Sequence, residues 1–69
     1  DTPDYEALQQ ALQQALAPLP SRQRAVFTMR HYEDMSYEDI AIALDSNVKA
    51  VTANFHLAKE RIKEILLQL

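Results

Sequence analysis

Glycine is absent from this chain of 69 residues, and so is cysteine. Without glycine there is no phosphate-cradling loop of the GxGxxG or GxxxxGK[ST] kind, because those loops need backbone that carries no Cβ. Without cysteine there is neither a disulfide nor a thiolate-metal staple. Such staples would matter here, since a chain this small buries only about 60% of the surface its unfolded form exposes and has a thin core. Long apolar runs are also missing. None approaches the ~18 residues of a membrane span, and no basic-then-apolar leader opens the chain. What remains is ordinary for a soluble globular chain: 48% apolar and 25% charged residues, enough for one domain at most. The first residue is Asp1 and not Met, as in a piece of something longer.

The formal charge of -3 argues against a nucleic-acid partner, but its distribution is more telling. Residues 1–20 hold Asp1, Asp4 and Glu6 against no base, and residues 36–47 hold Glu38, Asp39 and Asp45 against none. Residues 21–35 set Arg22, Arg24 and Arg30 against Glu33 and Asp34. From residue 48 onward Lys49, Lys59, Arg61 and Lys63 outnumber Glu60 and Glu64, so the last third is the clearly basic stretch, and only mildly so.

Four helical segments are predicted and no strand. The first runs from about Asp4 to Ala17. Leu8, Leu12 and Leu16, with Ala7, Ala11 and Ala15, form a narrow apolar stripe opposite Gln9, Gln10, Gln13 and Gln14. Pro18 and Pro20 end it. The second starts at Pro20 in a first-turn position, or with Ser21 as N-cap, and runs to about residue 32. The third is announced by Ser36 and Asp39 at capping-box spacing, with Ile40, Ala41, Ala43 and Leu44 on its buried side. The fourth begins with Ser46 or Asn47 as cap. Val51, Phe55, Ala58, Ile62, Ile65 and Leu69 then make one continuous stripe at alternating spacings of four and three.

A short helix, about three connecting residues and a longer helix, cradled by earlier helices, is the helix-turn-helix plan. Its turn usually contains glycine. Asp45 stands there instead, and Asp tolerates the left-handed conformation better than most residues. The fold class is therefore all-α: a small four-helix domain over residues 1–69, with the helix-turn-helix at about 36–67.

The segment from Leu19 to Leu66 carries a resemblance. Leu19-Pro20-Ser21-Arg22-Gln23-Arg24-Ala25-Val26-Phe27, followed by Arg30-His31-Tyr32-Glu33-Asp34-Met35-Ser36-Tyr37-Glu38-Asp39-Ile40-Ala41, resembles region 4 of sigma-70 family sigma factors, most of all the extracytoplasmic-function group. The match covers about two-thirds of the chain without a gap, and Met-Ser-Tyr-Glu-Asp-Ile-Ala is its most specific part. The resemblance implies a bacterial transcription-initiation subunit, cytoplasmic and nucleoid-associated. Its C-terminal domain would read the -35 promoter element, dock on the flap of the polymerase β subunit and, in some members, meet an anti-sigma factor. It implies no cofactor, no metal and no small-molecule substrate.

Measured at 100° per residue from Val51, the face opposite the stripe carries Lys49, Ala53, His56 and Glu60, flanked by Thr52 and Lys63 on one side and by Ala50 and Leu57 on the other. The N-terminal residues of the second helix of such a motif meet base edges. Lys49, Thr52, Ala53 and His56 are the base-edge candidates, and Asn54 and Lys59 face the DNA backbone. Arg22 and Arg24, at the dipole-disfavoured start of the second helix, suit either phosphates or a surface pair with a carboxylate. The family pattern frays at this point. Many relatives read Gly-Thr-Val-Lys/Arg-Ser-Arg over residues 49–54, and basic residues common at 52, 54 and 57 are here Thr52, Asn54 and Leu57. Other members carry Ala-Asn-aromatic-His, similar to Ala53-Asn54-Phe55-His56.

Plainer roles stand beside these. His31 ends the second helix, where a cation suits the dipole, and Arg30 has Glu33 and Asp34 nearby in sequence for an ion pair. Tyr37 packs against the core, and His56 is a solvated histidine. Catalysis is not expected, since the two histidines lie on different helices and a chain of this size has little room for a ~300 Å³ pocket. Two other readings compete. One is a protein-interaction domain whose first helix, acidic third helix and exposed Leu57 dock a partner after DNA readout is lost. The other is the helix-turn-helix output domain of a response regulator.

Overall fold

A computed structural model describes residues 2–68. Four α-helices follow one another, α1 (Thr2–Leu16), α2 (Ser21–Phe27), α3 (Tyr37–Ala43) and α4 (Val48–Leu67), and a π-helical turn over Thr28–Tyr32 continues α2. No strand occurs among the described residues, and no helix there is long and apolar enough to cross a membrane.

Helix α4 is the axis of the molecule. Its 20 residues span about 30 Å, most of the 37 Å longest dimension. Two apolar clusters lie along it. One joins Ala15, Leu16, Leu19 and Phe27 to Ala58 and Ile62 on the C-terminal half of α4, with Leu12, Ile65 and Leu66 packed around them. The other joins Val26, Ile40 and Ala41 to Val51 on the N-terminal half, with Met29, Met35, Tyr37 and Leu44 at its edge. Adjacent residues of a helix point about 100° apart, so Val26 and Phe27 of α2 serve one cluster each. Phe55 touches both, stacked on Phe27 at 5.7 Å and edge-on to Tyr37 at 6.0 Å. Tyr37 therefore packs on the core, while Leu69, expected as the last rung of the α4 stripe, lies outside the described residues.

The α1 stripe is buried only in its second half. Ala15 and Leu16 are buried, Ala11 and Leu12 half-buried, and Leu8 is 57% exposed, with Ala7 exposed beside it. Periodicity aligned all six residues correctly, but α1 packs on α4 through its last two turns only. On α3, Ala43 is exposed and not buried as expected. Taking the core direction midway between Ile40 and Ala41, Ala43 lies roughly 110° away from it and Leu44 only about 10°. Ile42, on the opposite side, is 79% exposed.

The helix ends have clear local causes. Pro20 occupies the N-cap position of α2, its carbonyl accepting from the Arg24 N–H at 2.9 Å, and Ser21 is the first helical residue and not the cap. Ser36 Oγ caps α3 by accepting from the Asp39 N–H at 3.0 Å. Asn47 rather than Ser46 caps α4, its Oδ1 accepting from the Ala50 N–H at 2.8 Å. Between α3 and α4, Asp45 adopts φ 53. Around it Asp45 N–H donates to the Ile42 carbonyl at 3.2 Å and Ser46 N–H to the Ala41 carbonyl at 2.8 Å. Those two bonds make the Schellman closure that glycine normally completes.

The π turn was not anticipated. Glu33 N–H reaches back five residues to Thr28 at 3.2 Å, and Asp34 at φ 56 then ends the helix. Hydrophobic periodicity is blind to one extra residue in a single turn. What accompanies it is aromatic packing: His31 stacks on Phe27 at 5.0 Å and meets Tyr32 edge-on at 4.7 Å.

Candidate nucleic-acid interface

The burial of Val51, Ala58 and Ile62 fixes the rotation of α4 about its axis and thereby decides which residues face water. Lys49, Thr52, Ala53 and His56 are all exposed, on the side away from both clusters. Spacings of three and four residues make neighbours of Lys49, Thr52, Ala53 and His56 along one rim. Leu57, 51% exposed, continues it. Ala50 and Asn54 are half-buried on its flanks.

The start of this rim is electropositive for reasons beyond Lys49. Asn47 satisfies the Ala50 N–H and its carbonyl takes that of Val51. The N–H groups of Val48 and Lys49, the first two of the helix, have no intrahelical acceptor and sit at the positive end of the helix dipole. That arrangement suits an anion. Lys49 forms no ion pair among the described residues, where the observed pair is Arg61–Glu64 at 3.6 Å, further along α4.

Several polar side chains of α4 are already engaged within it. Thr52 Oγ1 donates to the Val48 carbonyl at 2.8 Å, and Asn54 Nδ2 to the Ala50 carbonyl at 3.0 Å. Lys59 Nζ stands 5.0 Å from the centre of the Phe55 ring, drawn back toward the body of the domain by a cation–π contact.

The arginines of α2 and its π turn act inside the domain. Arg22 Nη1 donates to the Leu44 carbonyl at 2.9 Å, tying the last turn of α3 to α2. Arg24 Nη1 bridges the Ala17 and Leu19 carbonyls at 3.1 and 3.2 Å, where α1 has just ended and its carbonyls lack helical partners. Neither arginine belongs to the α4 rim, although Arg22 borders the turn that leads into it. Arg30 forms no ion pair with Glu33 or Asp34, contrary to the expectation from sequence. It donates to the Met35 carbonyl at 2.9 Å and lies over Tyr37 at 5.0 Å. The half-buried carbonyl and ring offer a drier environment than two carboxylates in water.

Sequence reasoning missed Asp34 and the turn-holding arginines. For Asp34 a signal existed: in a chain without glycine, a left-handed residue is most readily Asp or Asn, and Asp34-Met35-Ser36 repeats the layout of Asp45-Ser46-Asn47. For the arginines none existed, because their acceptors are backbone groups up to 22 residues away.

Chemistry of other kinds finds little purchase. Among the described residues no three His, Asp or Glu side chains gather to hold a metal ion. A pocket-sized concavity does exist, an open groove of about 330 Å³ edged by Gln9, Gln10, Gln13 and Gln14 of α1, but amides are its only functional groups.

Comparison with known proteins bears on the same residues. The family described as "Sigma-70, region 4" matches residues 9–62. The chain is 35% identical over 66 residues to the RNA polymerase sigma-E factor of Streptomyces antibioticus, covering 96% of this chain and 37% of that protein. To the sigma-E factor of Streptomyces coelicolor it is 34% identical over 67 residues, covering 97% and 38% respectively. It thus spans well under half the length of these curated relatives. No solved structure matches.

Proposed function

Because this chain belongs to the sigma-70 family, as a region 4 domain of the extracytoplasmic-function type, we propose that it is the promoter-recognition domain of a bacterial sigma factor. It reads the -35 element with α4 and docks on the flap of the polymerase β subunit to direct initiation. The reading rests chiefly on one observation: α4 leaves Lys49, Thr52, Ala53 and His56 exposed together at its N-terminal end, where a recognition helix meets base edges.

Lys49 donates to guanine O6 and N7 or to a phosphate, His56 to a base acceptor or a phosphate, and Thr52 and Ala53 meet base edges. Asn54 and Lys59 lie on the side of α4 next to the DNA backbone and reach a phosphate only on leaving the Ala50 carbonyl and the Phe55 ring. The open Val48 and Lys49 N–H groups take a phosphate at the helix start. Arg22 and Arg24 each donate to carbonyls through Nη1 alone and keep their charge and remaining N–H donors for phosphates. Thr52, Asn54 and Leu57 stand where basic residues would add phosphate contacts on α4, so the isolated domain binds weakly and with a shallow dependence on salt.

Duplex titrations by fluorescence anisotropy at several salt concentrations test this, comparing the unaltered chain with Lys49→Ala and His56→Ala. Each variant should weaken binding to a preferred duplex by about tenfold, a loss of one to two contacts. If both bind every duplex as the unaltered chain does, the reading face is wrongly assigned.

A further inference from the structure

We infer that α4 reads its promoter element in large part through methyl groups, so that thymine C5-methyls are part of what it recognises. The inference rests on the promoter-reading role above and specifies which chemical feature of the DNA that role uses.

The polar inventory of the rim is small. Thr52 has one hydroxyl proton, and it is given to the Val48 carbonyl at 2.8 Å. Towards DNA Thr52 keeps its γ-methyl and the remaining lone-pair capacity of its oxygen. Ala53 is exposed and has only a methyl to offer. Leu57, one turn beyond Ala53 and 51% exposed, adds a larger apolar surface on the flank away from Thr52. No arginine occurs between residues 48 and 60, so the forked donor that grips guanine is missing from the reading turns. What remains is apolar surface from Thr52, Ala53 and Leu57 interleaved with two donors, Lys49 and His56.

Among the four base pairs, thymine is the base that shows a methyl in the major groove, beside the O4 acceptor. Methyl groups interleaved with donors match that pair of features. Apolar contact also explains how a rim with so few charges can discriminate sequences at all.

The test starts from a randomised duplex pool, from which the 69-residue chain selects its preferred sequence. The selected duplex is resynthesised with each thymine replaced in turn by uracil, which deletes one methyl and nothing else. Binding is measured for the unaltered chain, for Thr52→Ser, which deletes the side-chain methyl, and for Thr52→Val, which keeps methyls and deletes the hydroxyl. At one or two positions uracil should weaken binding by about fourfold, the transfer value of one buried methyl. That loss should shrink in Thr52→Ser and persist in Thr52→Val. Uracil tolerated at every position, with unchanged affinity, overturns the inference while leaving promoter reading intact. Thr52→Val binding more weakly than Thr52→Ser also overturns it, since the hydroxyl would then be the reading group. A pool that yields no preferred duplex removes promoter reading itself, and this inference with it.

Discussion

After α2 the chain turns through Asp34-Met35-Ser36, and after α3 through Asp45-Ser46-Asn47. In both, an aspartate takes the left-handed conformation, at φ 56 and φ 53, and two residues later a Ser or Asn caps the next helix. In both, an arginine from α2 or its π turn donates to a carbonyl beside the aspartate, Arg30 to Met35 and Arg22 to Leu44, each at 2.9 Å. The difference lies in what else holds them. Met35 tucks against the second apolar cluster and Arg30 covers Tyr37, so the first turn is held by packing as well as hydrogen bonds. At the second turn Ser46 occupies the position where a Schellman closure commonly places an apolar residue, and its arginine bond is exposed. Asp45, Ser46 and Asn47 are all exposed, and apolar packing reaches this turn only from its two sides, through Leu44 before it and Val51 after it. The less securely packed turn is the one that aims the candidate reading rim.

Phe55→Ala is the largest expected perturbation, because Phe55 joins the two clusters and both turns lean on the one containing Tyr37 and Met35. A loss of about 3 kcal/mol in urea unfolding is expected, near the bottom of the range for deleting a phenylalanine because the ring is half-buried. A loss below about 1 kcal/mol would mean that the clusters do not depend on it.

The arginines separate the turns. Arg30→Ala removes a part-buried charge-assisted hydrogen bond and a cation–π contact, and about 2 kcal/mol of stability should go with them. Arg22→Ala removes an exposed bond and should cost only about 1 kcal/mol. Their effects on DNA should run the other way, with Arg22→Ala blurring the preference between matched and scrambled duplexes and Arg30→Ala leaving it intact in the folded fraction. Equal effects on discrimination would break the comparison.

The smallest effect is the most diagnostic of backbone. Asp34→Gly and Asp45→Gly should each stabilise by about 0.5 kcal/mol, relief of the left-handed penalty slightly outweighing the freedom glycine adds to the unfolded chain. Thermal unfolding reads this as a small upward shift, and a downward shift at either site would show that its aspartate side chain contributes more than its backbone costs.

Much of this architecture is legible in the residues. Alternating spacings of three and four mark α4, and Ser36 and Asn47 announce helix starts through side chains whose acceptor role is local. The rotation of α4, and hence the exposure of Lys49, Thr52, Ala53 and His56, follows from the same stripe. What escapes is whatever depends on a partner distant in sequence. Periodicity aligns Leu8 with Leu12 and Leu16 but does not say whether another helix stands opposite. Arginine reaches far and chooses its acceptor by tertiary geometry, so Arg30 found a carbonyl and a ring in place of the carboxylates beside it in sequence. The π turn depends on how Phe27, His31 and Tyr32 settle together, which no one-dimensional pattern encodes.

The most direct test of α4 as the reading element is a two-dimensional ¹⁵N–¹H NMR titration of the chain with its preferred duplex. The largest amide shifts should fall between Asn47 and Leu57, with the Gln-rich side of α1 and the last two turns of α4 nearly still. Shifts concentrated on α1 or on the acidic outer side of α3, with residues 47–57 silent, would contradict the account.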